Sequence, residues 1–279
     1  MGTFWGTLIG SLLTLASSGM ALGAALGLTG FLILEFIANS ATFVAIDAVW
    51  NVLNSFTLSA IPLFIILGEI MLRSGISDKI YIALSPVFER VPGGLLHTNI
   101  TVCTLFGAVS GSSLSTAAAV GSVAYPEMTS RGYDSKMVVG SLAGGGTLGL
   151  LIPPSLSLLI YGALTETSIG RLFLAGFLPG LLFAVMFMGY IFFRCRSNTA
   201  LVPKALTSTS ATIVVLKLLS LWPFFTLVFA IMGSIVFGIA TPTEAAGIGV
   251  IATALVGKLW GSLTLKKLIE SLYAGILLY

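Results

Sequence analysis

Charge is scarce in this chain. Asp, Glu, Lys and Arg together make up 8% of its 279 residues, while hydrophobic residues make up 57%. A soluble domain carries about a quarter charged residues, so the composition excludes water as the solvent of most of the sequence. It is the composition of a polytopic membrane protein. Histidine is reduced to His97, and cysteine to Cys103 in an apolar stretch and Cys195 between Arg194 and Arg196. That excludes a disulfide framework and a Cys/His metal cluster. The net charge of +3 is small and scattered, which leaves no basis for a nucleic-acid partner. No basic region precedes the first apolar stretch and apolar segments continue throughout, so no cleavable signal peptide is expected. Without a carboxylate–histidine cluster, a nucleophile–base pair or a phosphate loop, the chain is not expected to be an enzyme.

What is present is a series of uncharged stretches. A helix needs about 20 residues to cross a hydrocarbon core of about 30 Å. Segments near 55–72, 137–163, 169–193 and 216–239 fit single crossings. Residues 3–38 are long for one upright helix; either Ser17-Ser18-Gly19 divides them into two short spans, the favoured reading, or one long tilted helix runs through. A GxxxG pair, Gly23 and Gly27, reads as a helix-packing motif. Residues 77–90, SDKIYIALSPVFER, read as an interfacial amphipathic helix, and 264–279 as the beginning of another. Trp50, Trp222 and Trp260 lie near segment ends and suit an interfacial belt.

Two segments are broken where a membrane helix should be continuous. Residues 95–128, LLHTNITVCTLFGAVSGSSLSTAAAVGSVAYPEM, contain no charge before Glu127 but are interrupted by Ser110-Gly111-Ser112-Ser113. This predicts two short helices meeting at an unwound tip. Residues 137–163 are interrupted at GLLIPPS (149–155). Proline has no N–H, so Pro153 and Pro154 cannot bond the carbonyls of Gly149 and Leu150 four residues back. Each break thus offers carbonyls at a negative helix end, read at the first as Gly107–Ser110. Each also offers free N–H groups at a positive helix start, read there as Ser112–Ser115. Brought together, the breaks would supply oxygens for a hard cation beside helix N-termini and hydroxyls for an anion. Irregular backbone at membrane depth persists only where protein or a cavity covers it. Discontinuous helices at the midplane are where secondary transporters hold ions and substrates. A single proline kink serves packing; two breaks lined with hydroxyls point to transport.

The basic residues give an orientation. If 95–128 is a re-entrant hairpin, then Arg73, Lys79, Arg90, Arg131, Lys136, Arg194, Arg196, Lys204, Lys217, Lys258, Lys266 and Lys267 fall on one face, and Arg171 alone on the other. The positive-inside rule makes the first face cytoplasmic. Thr241-Pro242-Thr243-Glu244 has capping-box spacing, with Thr241 as cap and Glu244 at the third helical position. Glu69 lies late in its segment and is either a functional carboxylate or a partner of Arg73 four residues on. His97 reads as a satisfied polar residue.

The strings FGAVSGSSLSTAAAVGSVAYPEMTSRGYD (106–134), LAGGGTLGLLIPPSLSLLIYG (142–162), TETSIGRLFLAGFLPG (165–180) and GIATPTEAAGIGV (238–250), with SAIPLFIILGEIMLRSGIS (59–77) upstream, resemble the large membrane subunit of tripartite ATP-independent periplasmic (TRAP) transporters, the DctM-like permeases. The resemblance covers essentially the whole chain. It implies an all-α, elevator-type, sodium-coupled importer of small organic anions, of the C4-dicarboxylate or sugar-acid class, in a bacterial or archaeal cytoplasmic membrane. Its implied partners are a small DctQ-like membrane subunit and an extracytoplasmic DctP-like binding protein. Sodium is the coupling ion and no cofactor is expected. By motif, the sodium-binding carbonyls become those of Ser110, Ser113, Gly149, Ile152 and Pro154; Ser112, Ser115 and Thr116 become possible anion-facing hydroxyls. Large subunits of this family contain a second, inverted half with its own hairpin and broken helix, and no second such tip or Pro-Pro break occurs before Tyr279.

The implied organisation is scaffold-type helices over 1–72, an interfacial helix over 73–94, and a transport-type region over 95–193. A cytoplasmic linker over 194–216 and the opening of a second half over 217–279 follow. The chain is thus expected to be a fragment, a truncated product or one piece of a split subunit, working with a chain that supplies the rest. The alternatives are an ion-coupled anion transporter that needs no binding protein, or an inactive fragment or assembly subunit. Dependence of uptake on an added binding protein separates the first alternative.

Overall fold

The computed structural model describes residues 2–37, 42–203 and 210–278. Lys204, counted above among the residues of the basic face, lies outside them. The described residues are helical and divide into two units, Met1–Ser55 and Phe56–Tyr279. The first unit contains α1 (Gly2–Ser17), α2 (Leu22–Phe36) and α3 (Thr42–Leu53). Gly19 takes a left-handed φ of 78° in the turn between α1 and α2, so the chain up to Phe36 forms two short helices and not one long one. The GxxxG pair of α2 has no packing partner among the described residues: a Cβ at Gly23 or Gly27 would meet no described atom within 4 Å. The buried residues of α2 are Ala25 and Thr29, on another face.

The second unit begins with a 3-10 turn over Thr57–Ser59 and α4 (Ala60–Arg73), then α5 (Ile76–Phe88), α6 (Leu95–Ser110) and α7 (Ser113–Ser130). After them come α8 (Ser135–Leu151), α9 (Leu156–Leu164), the long α10 (Ile169–Ser197) and a 3-10 turn at Thr199–Leu201. The last four helices are α11 (Ala211–Leu219), α12 (Trp222–Val236), α13 (Pro242–Leu259) and α14 (Leu265–Leu278). By length and apolar composition, Ser135–Leu164 and Ile169–Ser197 can each cross a membrane. Two expected crossings take other forms. The 55–72 segment is shorter, at 14 helical residues in α4. The 216–239 segment is a pair, α11 and α12, bent by 43°. Pro223, near the start of α12, has no N–H for the carbonyl of Leu219, so one helix cannot run through.

Phe64, Leu67, Ile80, Leu96, Ile100, Phe106, Phe173 and Phe224 are fully or almost fully buried and form the core between these helices. The helices α6, α7 and α8 pack on one another, α10 lies against α6, α8 and α9, and α4 lies against α6, α13 and α14. The amphipathic α5 buries Ile76, Ile80, Tyr81 and Leu84 against α6, α7 and α11, so protein covers its apolar face. Asp78 and Lys79 remain exposed, and Lys79 sits 5.5 Å over the Trp260 ring. At α14, Arg73 bridges the buried Glu69 at 3.3 Å and Glu270 at 3.7 Å. Of the two readings of Glu69, the structure shows the ion pair. Thr241 and Glu244 form a reciprocal capping box at the start of α13, with Glu244 Oε2 accepting from the Thr241 N–H at 2.8 Å.

The helices α6 and α7 are antiparallel. Asn99, early in α6, donates to Met128 Sδ at 3.2 Å, late in α7, and to Ser141 in α8 at 2.9 Å. The N–H of Leu95 donates to the Tyr133 hydroxyl just past α7 at 3.1 Å. Burial raises the pKa of this phenol above the ordinary tyrosine value, so it stays protonated at neutral pH. His97 is only half satisfied: Nε2 pairs with the Pro92 carbonyl at 2.8 Å, while Nδ1 is buried without a partner.

Candidate functional site: two broken helices in contact

The first break follows from its residues one by one. Gly111 adopts the left-handed φ of 61° that ends α6, and its N–H returns to the Gly107 carbonyl at 3.0 Å. That carbonyl is therefore occupied, a correction to its reading as free. Ser112 turns extended and caps α7, its hydroxyl accepting from Ser115 N–H at 3.4 Å. The Thr116 hydroxyl donates to the Ser112 carbonyl at 2.7 Å and pairs with Ser110 Oγ at 2.8 Å. Thr116 is fully buried, so its hydroxyl is committed inside the tip and turned away from any anion. Ser112, Ser113 and Ser115 are half-buried and Leu114 is exposed. No described group accepts from the N–H groups of Ser113 and Leu114.

The second break has a capped carbonyl that sequence reasoning treated as open. The Ser155 hydroxyl donates to the Leu150 carbonyl and also accepts from Leu158 N–H at 3.5 Å, so it bridges both half-helices. Other carbonyls lose their helical donors. Gly149 faces Pro153, which has none. Ile152 would bond Leu156, whose N–H goes instead to the Gly111 carbonyl at 3.4 Å. Pro154 would bond Leu158, whose N–H goes to Ser155. Ser110 ends α6 with no described N–H on its carbonyl. Ser113 differs, since it is the first residue of α7 and its carbonyl stands in the helical ladder.

The structure brings the two breaks into contact. A Cβ at Gly111 would lie 2.9 Å from the Pro154 carbonyl oxygen; one at Gly149 would lie 2.8 Å from that of Ser112 and 2.6 Å from Thr116 Oγ1. One at Gly107 would strike Gly149 Cα at 2.6 Å. Only glycine allows backbones this close. Ser110, Gly149, Ile152, Pro154 and Ser155 are all buried. The junction collects neutral oxygen donors and no carboxylate, a donor set suited to a hard monovalent cation, as group I and II ions prefer oxygen.

Three glycines at this junction were not singled out from the sequence. Gly68 of α4 lies against the tip, where a Cβ would be 3.3 Å from the Ser110 carbonyl oxygen. Gly176 and Gly180 of α10 seat the second break: Cβ atoms there would meet Leu158 at 2.8 Å and Ile152 at 2.5 Å. The G-x-x-x-G spacing of 176–180 was a legible signal for that seat.

Comparison with known proteins matches the sequence that carries these breaks. The sequence profile of the family described as "Tripartite ATP-independent periplasmic transporter, DctM component" matches residues 9–278. The C4-dicarboxylate TRAP transporter large permease protein DctM of Pseudomonas aeruginosa is 38% identical over 234 residues, covering 83% of this chain and 53% of that protein. The sialic acid TRAP transporter permease protein SiaT of Haemophilus influenzae is 33% identical over 236 residues, covering 80% and 38%. The ectoine TRAP transporter large permease protein TeaC of Halomonas elongata is 37% identical over 200 residues, covering 71% and 46%. The chain spans about half the length of the curated relatives it matches. An apolar chain, helical throughout its described residues, whose profile match runs almost end to end belongs to the DctM family of TRAP transporter large permeases.

Proposed function

We propose that this chain belongs to the large membrane permease subunit of a sodium-coupled, binding-protein-dependent importer of small organic anions. In this reading the breaks form the cation site and one wall of the anion cavity, moving together as an elevator carrier in a prokaryotic cytoplasmic membrane. A DctQ-like small subunit and a DctP-like binding protein would be its partners. The observation that carries the reading is the contact between the breaks. The residues Ser110, Gly149, Ile152 and Pro154 are buried, their carbonyls lack helical donors, and they belong to two breaks that pack closely on each other. An unsatisfied buried carbonyl costs about 1–3 kcal/mol, and a sodium ion would offset several such costs at once. Ser112 and Ser115, at the start of α7, are the hydroxyls left for an anion.

A re-entrant hairpin is supported by depth. The junction meets α10 at Gly176 and Gly180, five and nine residues beyond Arg171. At 1.5 Å per residue this is roughly 8–14 Å along the axis. The other end of the hairpin lies by Ile191, which a Cβ at Gly93 would touch at 2.6 Å. The tip therefore stops short of the Arg171 end of a helix 29 residues long. C4-dicarboxylates or sugar acids fit as cargo, since the relatives are named for C4-dicarboxylate, sialic acid and ectoine.

Thermal unfolding of the chain in nanodiscs tests the cation site, with NaCl exchanged for KCl at constant ionic strength. Sodium should raise the unfolding temperature. Gly149→Ala, which drives a methyl into Ser112 and Thr116, should abolish that shift, whereas Gly140→Ala, which meets nothing within 4 Å, should retain it. Equal unfolding in both salts, or a full sodium response in Gly149→Ala, overturns the assignment.

A further inference from the structure

Near the open end of the hairpin lies a cavity of about 690 Å³, within the roughly 300–1,000 Å³ of small-molecule sites. Three separate pieces of chain build it. They are the loop from Glu89 to Leu95, the turn at Arg131 and Tyr133 between α7 and α8, and the end of α10 with the residues up to Pro203. Each contributes one arginine to the lining, Arg90, Arg131 and Arg196, beside Glu89. Glu127 holds Arg131 in place at 2.8 Å. Basic residues in the last turn of α10 complement its dipole, and Arg194 and Arg196 both do so. That effect does not explain why arginines from three separate pieces of chain line one void. Arg194, two residues from Arg196, does not line it.

The rest of the wall is largely apolar, formed by Val91, Pro92, Val202 and Pro203 around the phenol of Tyr133. A guanidinium presents a planar fork that matches phosphate oxygens. Basic pockets between membrane helices take acidic lipid headgroups. The apolar wall suits the glycerol and first methylenes attached to such a group better than a fully hydrated ion. We propose that this cavity binds a phosphate-bearing glyceryl anion, held between the root of the α6–α7 hairpin and the end of α10. The shared chemistry is a glycerol phosphate, which an acidic phospholipid or a free metabolite could supply. Occupancy would tie the hairpin root to α10 through Arg90 and Arg131 on one side and Arg196 on the other.

Native mass spectrometry of the delipidated 279-residue chain, titrated with phosphatidylglycerol or phosphatidylcholine, tests this. Phosphatidylglycerol should be retained in preference to phosphatidylcholine. Each basic group near an anionic surface contributes roughly fivefold in affinity, so Arg131→Gln with Arg196→Gln should weaken binding by roughly twenty-five-fold. Arg194→Gln, an equal charge change on the same turn, should leave it unaltered. The double Lys variant, which keeps charge and loses the fork, should fall between. Glycerol phosphate that displaces the lipid would identify the soluble headgroup as a sufficient ligand; failure to displace it would identify the lipid as the source. Either result upholds the phosphate site. Equal retention of the two lipids, or an equal loss in Arg194→Gln, overturns it.

Discussion

Ser155 separates two readings of the second break. From the sequence, the missing N–H of Pro154 leaves the Leu150 carbonyl open, and Pro154→Ala should restore its bond and straighten the helix. In the structure the Ser155 hydroxyl already occupies that carbonyl and caps α9 as well. The backbone N–H that Pro154→Ala introduces would therefore meet an acceptor in use, and the break should persist. Ser155→Ala is the more damaging change. Losing an N-cap costs about 0.5–2 kcal/mol, and the Leu150 carbonyl loses its hydroxyl donor besides. We expect Ser155→Ala to lower the unfolding temperature in nanodiscs more than Pro154→Ala does; the reverse order would remove Ser155 from its bridging role. The proline signal was legible because a missing N–H is a property of the residue. The hydroxyl that repairs it was not, because Ser155 looked like one more small polar residue at a helix start.

At the level of helices, small-residue spacing was read in the wrong place. Gly23 and Gly27 have G-x-x-x-G spacing and pack against nothing described, while Gly176 and Gly180 have the same spacing and seat the broken helix. Spacing shows that a helix can be approached closely; which partner approaches is decided by tertiary packing. The hairpin and the Pro-Pro break were legible because charge-free stretches containing Gly-Ser and Pro-Pro have few structural solutions in lipid. The bend between α11 and α12 was missed because apolar composition runs through it unchanged. The seat gives a prediction. Gly180→Leu forces atoms onto Ile152 and should destabilise by roughly 1–3 kcal/mol, the usual cost of overpacking. Ile152→Ala should recover part of that loss, a coupling that a double-mutant cycle measures. Gly23→Leu should leave unfolding unchanged. Simple additivity of the Gly180 and Ile152 substitutions would show that the two positions do not bear on each other.

For the whole molecule, the arrangement of basic residues becomes a statement about sidedness. Arg90 and Arg131 flank the hairpin and line one cavity with Arg196, so the hairpin begins and ends at the same end of the bundle as the close of α10. Arg171 lies at the start of α10 and Arg196 near its end, 25 residues apart and so roughly 38 Å along the axis at 1.5 Å per residue. That span exceeds the hydrocarbon core of about 30 Å, so the two arginines belong to opposite surfaces. The positive-inside rule then assigns Arg131 and Arg196 to the cytoplasm and Arg171 to the outside. The native thiols give little background for a labelling experiment, because Cys103 and Cys195 are 0% and 4% exposed. In intact cells, Arg171→Cys should react with an impermeant maleimide, while Arg131→Cys and Arg196→Cys should react only after permeabilisation. Labelling of Arg131→Cys and Arg196→Cys from opposite sides would contradict the shared cavity itself. Labelling of both from outside would leave the cavity intact and reverse the orientation, placing the hairpin tip nearer the cytoplasmic surface and removing the basis for reading it as one wall of an importer's anion site.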